Sequence, residues 1–472
     1  MQAFKLYLIL LVSFMGSLGF GFDTTVISCV NGMVQFTDYF GIGGGATGGG
    51  QGIIAAMLYS IFTLGCIMGT SVAGPIADRW GRRGGMFVAS IIILAGVSTV
   101  TAAQSRIYLF FGRFLIGFGS TVSNSAAPAY VAEISPPQWR GRIAGLYNTF
   151  TFVGGIICSG LVIATGRIDS SASWRLPFAI QFIPTLVLMV GVCFIPESPR
   201  WLMSVGRKDE ARDVLAEYHG NGDANAPLVA LEMHELETCI RTEIGSSNRW
   251  WDYSELFNSC GAWYRTMVTS WLGLCCLWSG IGIFYYSTVA FDLAGVKTQN
   301  GRLTLNSVAV VAGGIGAFAG AFVVDRIGRR PLWLWGTACS SITLALATVF
   351  TAKAQVGPAV AFLLLFAFAM DMTYIPLQGM YPSECLSFHN RSKGLALFAL
   401  IESLAALVNN FAGAVAFQQI GWRYLLVWAL WDAVETVVIW FCAVETKGRT
   451  LEELDEIFED PHPVRASLNR HR

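Results

Sequence analysis

Asp23, Arg113, Asp371, Glu402, Asp432 and Glu435 are ionisable side chains set inside runs that are otherwise apolar. At the centre of a membrane helix such a group costs roughly 2.5–3.5 kcal/mol on insertion scales, so it is seldom kept without a use. Asp23 and Arg113 carry opposite charges and could form a pair that shifts when Asp23 takes up a proton. Burial favours the neutral acid and a neighbouring arginine favours the ionised one, so geometry can set when the proton is held. A static structural pair is the plainer alternative. Glu402 accepts strongly from hydroxyls but offers no donor when ionised. It could hold a polyol, attract a cationic solute, take up a second proton, or sit neutral against a neighbouring helix. Other chemistries find little footing. The histidines (His219, His234, His389, His462, His471) all fall in polar stretches, and no C-x-x-C pair occurs. No metal site, cofactor or disulfide framework is therefore expected. Without G-x-S-x-G, H-E-x-x-H or a P-loop, the chain does not read as an enzyme.

The elements that must position these groups are membrane helices. Hydrophobic residues make up 54% of the 472 positions and charged residues only 13%, against about 25% charged in soluble domains. Basic and acidic residues balance at 31 each, which argues against a nucleic-acid partner. Apolar runs of bilayer-spanning length fall near 5–30, 53–76, 86–104, 107–131, 143–165, 176–195, 267–293, 305–324, 331–351, 359–380, 395–417 and 425–443. The first run is too long for a signal-peptide core and reads as a retained helix. Gly43, Gly45 and Gly48 spell G-x-G-x-x-G, but between two spans this reads as a linker and not a nucleotide site. Arg79, Arg82 and Arg83, Arg140 and Arg142, Arg326, Arg329 and Arg330, and Arg391 with Lys393 all fall on one side of the spans. The positive-inside rule puts that side, both termini and the central loop in the cytoplasm.

The two halves echo each other. Asp78-Arg79-Trp80-Gly81-Arg82-Arg83 recurs as Asp325-Arg326-Ile327-Gly328-Arg329-Arg330. Glu133 with Arg140 recurs as Glu384 with Arg391, and Glu197-Ser198 recurs as Glu445-Thr446, at nearly constant separation. A duplicated six-span unit explains this, as in transporters that rock around a central site.

With these motifs the chain resembles the sugar porter family of the major facilitator superfamily along nearly its whole length. They are G-F-D at Gly21–Asp23, the Gly74–Arg83 loop, G-R-F-L-I-G at Gly112–Gly117, Pro128–Gly141, P-E-S-P-R-W-L at Pro196–Leu202, Asp325–Leu332 and Glu445–Glu453. Within the family, Leu146-Tyr147-Asn148, Trp278–Gly280 and Tyr381–Glu384 resemble the fungal lactose-permease and disaccharide-transporter branch. The resemblance implies an all-α membrane protein of the major facilitator fold, with twelve helices in two six-helix bundles. The expected divisions are 1–195, a cytoplasmic central loop with short helices at 196–264, 265–444, and a cytoplasmic tail at 445–472.

The implied activity is proton-coupled uptake of a hexose or disaccharide by alternating access. A sugar-sensing receptor and a transporter of polyols or other solutes are the alternatives. Expected partners are a sugar or polyol, protons and the lipid bilayer, with the chain a monomer, and the expected place is the plasma membrane. Asp23 and Arg113 match the family's proton-coupling pair. Asp78, Arg82, Arg83, Glu133, Arg140, Glu197, Arg200, Asp325, Arg329, Arg330, Glu384, Arg391 and Glu445 match its cytoplasmic gating network, a latch joining helices within each half. Their plainer reading is a solvated surface that sets topology. In the substrate site, Asn148 stands where many relatives carry Gln, and Glu402 stands about where they carry a sugar-binding amide. Span 7 departs from the pattern: the family's Gln and Asn positions are Cys275, Cys276, Leu277 and Ile281 around Trp278. Tyr285 and Tyr286 are candidate aromatic walls, and Asp371 and Gln378 line span 10.

Overall fold

The computed structural model describes residues 2–42, 51–136, 139–220, 222–245, 253–387, 391–449 and 451–468. The expected glycine linker at Gly43, Gly45 and Gly48 lies outside the described residues. Backbone N–H and C=O groups find no water in a bilayer core, so long apolar runs must satisfy them internally as helix. The helices are α1 (Gln2–Val30), α2 (Val34–Tyr39), α3 (Gln51–Thr101), α4 (Arg106–Ile134), α5 (Arg140–Thr165), α6 (Ala172–Ile180), α7 (Phe182–Val192), α8 (Pro199–Ser204), α9 (Lys208–Tyr218) and α10 (Pro227–Gly245). They continue as α11 (Cys260–Trp278), α12 (Gly282–Tyr285), α13 (Ser287–Leu293), α14 (Gln299–Ile327), α15 (Arg329–Ala352), α16 (Val356–Cys385), α17 (Arg391–Ile420), α18 (Arg423–Cys442), α19 (Leu451–Glu459) and α20 (Pro463–Leu468).

Among the described residues, 10 helical segments are long and apolar enough to cross a membrane. One of them, Ile54–Thr101, runs 48 residues and holds two of the expected spans, joined at Gly81, whose φ of 79° only glycine adopts cheaply. The fourth expected span is α4, 29 residues long; Arg113 and the hydroxyls of Ser120, Thr121 and Ser123 lower its hydropathy. With these two accounted for, the twelve expected spans are all present.

Two spans are not the unbroken helices expected. Span 6 is split into α6 and α7 at Gln181; Pro184 lacks the N–H that would close the next turn. Span 7 is split into α11, α12 and α13, with Ser279 and Gly280 between the first two. Gly280 has φ +84°, a left-handed residue that ends α11.

The chain divides into two compact units, Met1–Val26 with Ile61–Asn248, and Ile27–Ser60 with Arg249–Arg472. The expected division left Ile27–Ser60 in the first half. In the second unit, Asn306 Nδ2 donates to Cys29 Sγ at 2.8 Å, and Tyr59 OH donates to the Tyr285 carbonyl at 2.5 Å. The central loop packs with the first unit: His219 sits 2.6 Å from Glu232 and 3.2 Å from the Ile134 carbonyl at the end of α4. The tail helix α19 belongs to the second unit, where Arg265 of α11 meets Asp455 at 2.6 Å and lies over Phe458.

Candidate functional site

In the first unit, α1 and α5 approach through small residues. A Cβ on Gly21 would strike the main chain of Thr151, and one on Gly154 the carbonyl of Leu18, the close helix contact small residues permit. This seats Asp23 in the interior of the unit, 1% exposed. Its Oδ2 accepts from Ser120 Oγ of α4 at 3.0 Å, and its Oδ1 accepts from Gln181 Nε2 at the α6–α7 break. Arg113, equally buried, donates from Nη1 to the main-chain carbonyl of Asp23 at 3.4 Å. Its guanidinium lies over the Phe62 ring at 4.5 Å. Asp23 and Arg113, ninety residues apart in sequence, are thus brought together. A cavity of about 10 Å³ opens beside Asp23, Ser120 and Ser123, enough for about one water molecule. Gln181 and Ser120 were not anticipated. A lone amide in an apolar run was the available signal for Gln181.

In the second unit the candidate substrate residues gather around the broken seventh span. Gln378 Nε2 of α16 donates to Glu402 Oε1 of α17. Trp278 Nε1, at the end of α11, donates to the Ala405 carbonyl, one turn beyond Glu402, at 3.1 Å. Tyr286 is buried with its hydroxyl donated to the Asn410 carbonyl at 2.8 Å, while Tyr285 and Ile281 remain partly exposed. Tyr59 packs its ring against both tyrosines. Asp371 of α16 faces α14, where a Cβ on Gly313 would overlap its carboxyl. Asn148, in the first unit, is exposed on α5 beside buried Tyr147.

The break at Ser279–Gly280 frees the Leu277 carbonyl from its helical partner, and Asn409 Nδ2 of α17 takes it at 2.9 Å. Asn409 is 1% exposed and its Oδ1 has no partner. Consecutive amides at Asn409 and Asn410 inside an apolar run were the signal missed here. At this break, where span 7 carries Cys275, Cys276 and Leu277, the amide is supplied by α17.

At the end of each unit that carries the repeated Asp-Arg-x-Gly-Arg-Arg motif, one arrangement appears twice. In the first unit, Arg82 Nη2 meets Glu133 Oε1 at 3.2 Å, and Glu133 Oε2 accepts from Ser198 Oγ. Glu197 Oε1 accepts from the backbone N–H groups of Arg82 (3.1 Å), Arg83 (3.2 Å) and Ser198 (2.8 Å). It therefore caps the helix that restarts after Gly81, where unpaired N–H groups concentrate positive charge. Burial pushes the Glu197 carboxyl above the usual carboxylate range, opposed by the backbone N–H groups of Ser198, Arg83 and Arg82 and the Arg83 charge.

The second unit repeats the design. Arg329 grips Glu384 with two bonds, 2.7 and 3.0 Å, and Thr446 Oγ1 donates to Glu384 at 2.5 Å. Glu445 accepts from the N–H groups of Arg329 (3.0 Å), Arg330 (3.2 Å) and Lys447 (2.9 Å). Gly328, at φ 109°, holds the turn. Arg83 donates to the Cys193 carbonyl and Arg330 to the Trp440 carbonyl. Asp78 and Asp325 are the outer, exposed members, 3.9 Å from Arg82 and 3.3 Å from Arg329. Arg200 is exposed on α8, and Arg391 begins α17. The side chain of Arg140 lies outside the described residues. The outer aspartates are solvated, whereas the arginine–glutamate cores are half-buried.

Comparison with known proteins places the whole chain. Its sequence is 29% identical to a high-affinity glucose transporter of Kluyveromyces lactis, covering 99% of this chain and 88% of the relative. The fold is similar to that of the xylose transporter XylE of E. coli in an inward-open conformation, with a TM-score of 0.79 at 21% identity, covering 96% of this chain and 100% of that one. It is also similar to the proton:xylose symporter XylE bound to 6-bromo-6-deoxy-D-glucose, with a TM-score of 0.75 at 22% identity, covering 97% and 100%. A family profile described as "Sugar (and other) transporter" matches residues 8–458, and the chain belongs to that family, within the major facilitator fold.

Proposed function

We propose that this protein moves a sugar across the membrane by alternating access, coupled to a proton carried by Asp23. The observation that supports it most is Asp23 itself: a buried carboxylate at lipid depth, held by Ser120 and Gln181, with a guanidinium at its main-chain carbonyl. A carboxylate so placed is costly unless used. Three neighbours that donate to the anion, or to its own carbonyl, can release or retain it as the helices shift. The names of the relatives, a glucose transporter and a proton:xylose symporter, point to the same pairing of sugar and proton.

The two cytoplasmic clusters act as latches within each half. Opening toward the cytoplasm breaks them, so their strength biases the equilibrium between states. In the second half, the Gln378–Glu402 pair, Trp278 and the tyrosines offer hydroxyl acceptors, an amide donor and aromatic faces for a polyhydroxylated solute. The carboxylate at Glu402, where relatives have an amide, favours a ligand rich in donors, which leaves room for a polyol. We place both termini on the cytoplasmic side on the distribution of lysine and arginine, and take the plasma membrane as the place of uptake.

The test is uptake of a labelled panel of hexoses, disaccharides and polyols into proteoliposomes, with and without an inward proton gradient. Gradient-driven accumulation of one class is the expected result. Binding of a sugar without movement would instead make the protein a sensor, and gradient-independent equilibration would remove the proton.

A further inference from the structure

Asp432 and Glu435 lie one helical turn apart on the inward face of α18, and both are 0% exposed. Their surroundings differ sharply. Glu435 is fully engaged: Oε1 accepts from Trp431 Nε1 at 2.5 Å, and Oε2 accepts from Ser279 Oγ and from Tyr374 OH at 3.3 Å. Neither oxygen of Asp432 has a partner. No cation among the described residues pairs with either carboxylate. The titratable groups that interact with them are Cys275 of α11, hydrogen-bonded to Glu435, and Tyr374 of α16, while Cys276 of α11 interacts with both Glu435 and Glu402 of α17. From α15 comes the hydroxyl of Thr337, 2.9 Å from Tyr374 OH.

Two anions at this depth would repel each other with no positive charge to offset them. Donors around Glu435 suit an ionised carboxylate, and the lack of any donor to Asp432 suits a neutral acid. We propose that Asp432 and Glu435 form a one-proton site in the second half of the molecule, whose proton exchanges with water. Ser279 ties this site to the break in span 7. It is the C-cap of α11, next to Gly280, and its hydroxyl is one of the donors to Glu435. When Ser279 withdraws, Glu435 loses a donor and becomes the better holder of the shared proton, which passes to it from Asp432. The hydroxyls of Ser279, Tyr374 and Thr337, spaced at 2.6 and 2.9 Å, form a buried chain along which the proton can pass from Glu435 as far as Thr337.

Infrared difference spectroscopy of the full-length purified protein, stepped from acid to alkaline pH in H2O and in D2O, tests this without any transported solute. It therefore stands or falls apart from the transport reading. The expected result is a neutral-carboxyl band that is lost on alkalinisation, shifts in D2O, and is missing in Asp432→Asn. In Glu435→Gln, which also tests the pair should the first variant not fold, the band moves or disappears. Identical bands in the wild type and in whichever variants fold would overturn the proposal. So would a band that is removed by substitution yet neither shifts in D2O nor responds to pH, since that proton would be fixed.

Discussion

The two halves of this molecule are nearly the same at the end that carries the repeated arginine motif and quite different in their buried interiors. At the surface, arginine, glutamate, a capping glutamate and a left-handed glycine recur in matching roles: Arg82, Glu133, Glu197 and Gly81 in one half, and Arg329, Glu384, Glu445 and Gly328 in the other. In the interior, the first half has Asp23 with Arg113, while the second has Glu402 with Gln378 and the Asp432–Glu435 pair. A duplicated gene starts with both copies of everything. On the proposed reading, what stays duplicated is what each half needs in order to change state, and what diverges is where the halves do different work. On this account the first half handles the proton of transport and the second handles the solute.

Even the shared latch is not quite symmetric, and the asymmetry can be measured. Arg329 grips Glu384 with two bonds and its side chain is 10% exposed, whereas Arg82 reaches Glu133 with one nitrogen and is 19% exposed. Removing one partner of a buried pair strands the other charge, at a cost of about 3 kcal/mol. Arg329→Ala should therefore lower the thermal inactivation midpoint in detergent more than Arg82→Ala, for which a loss of about 1–2 kcal/mol is expected. Both should remain inserted and turn over more slowly. Equal losses, or unchanged transport kinetics in both, would break the comparison.

A symmetric effect is expected at the turn glycines. Alanine at Gly81 or Gly328 needs a positive φ and places a methyl against the carboxyl of Glu197 or Glu445. Each should cost about 1–3 kcal/mol of stability, alike in the two halves. A tolerated Gly328→Ala beside an intolerant Gly81→Ala would show that only one latch is tight.

How much of this was legible beforehand divides along the same line. The repeat, the spans and the residues of the two arginine–glutamate clusters could be read directly because they rest on local motif and apolar run length. Which polar side chains meet inside was not legible. Gln181 reaches Asp23 only because span 6 breaks above Pro184, and Asn409 reaches Leu277 only because span 7 breaks at Gly280. Run length gives no sign of such breaks, since a broken span and a whole one contain the same number of apolar residues. Tyr285 and Tyr286 show the same limit: adjacent in sequence, they split into one partly exposed and one buried ring because the chain turns between α12 and α13.

The smallest predicted change sharpens the division of labour. Glu402→Gln restores an amide beside Gln378 and should shift the half-saturating solute concentration by about tenfold, or about 1.4 kcal/mol, while leaving uphill accumulation intact. If accumulation disappears instead, the second half shares the proton work and the contrast between the halves fails.

The most direct measurement is on Asp23→Asn in proteoliposomes, comparing gradient-driven accumulation with exchange of labelled for unlabelled sugar. Asparagine keeps the shape and can still bond Ser120 and Gln181, but it cannot carry a proton. The account predicts that accumulation is lost and exchange survives; accumulation against a gradient persisting in this variant would contradict it.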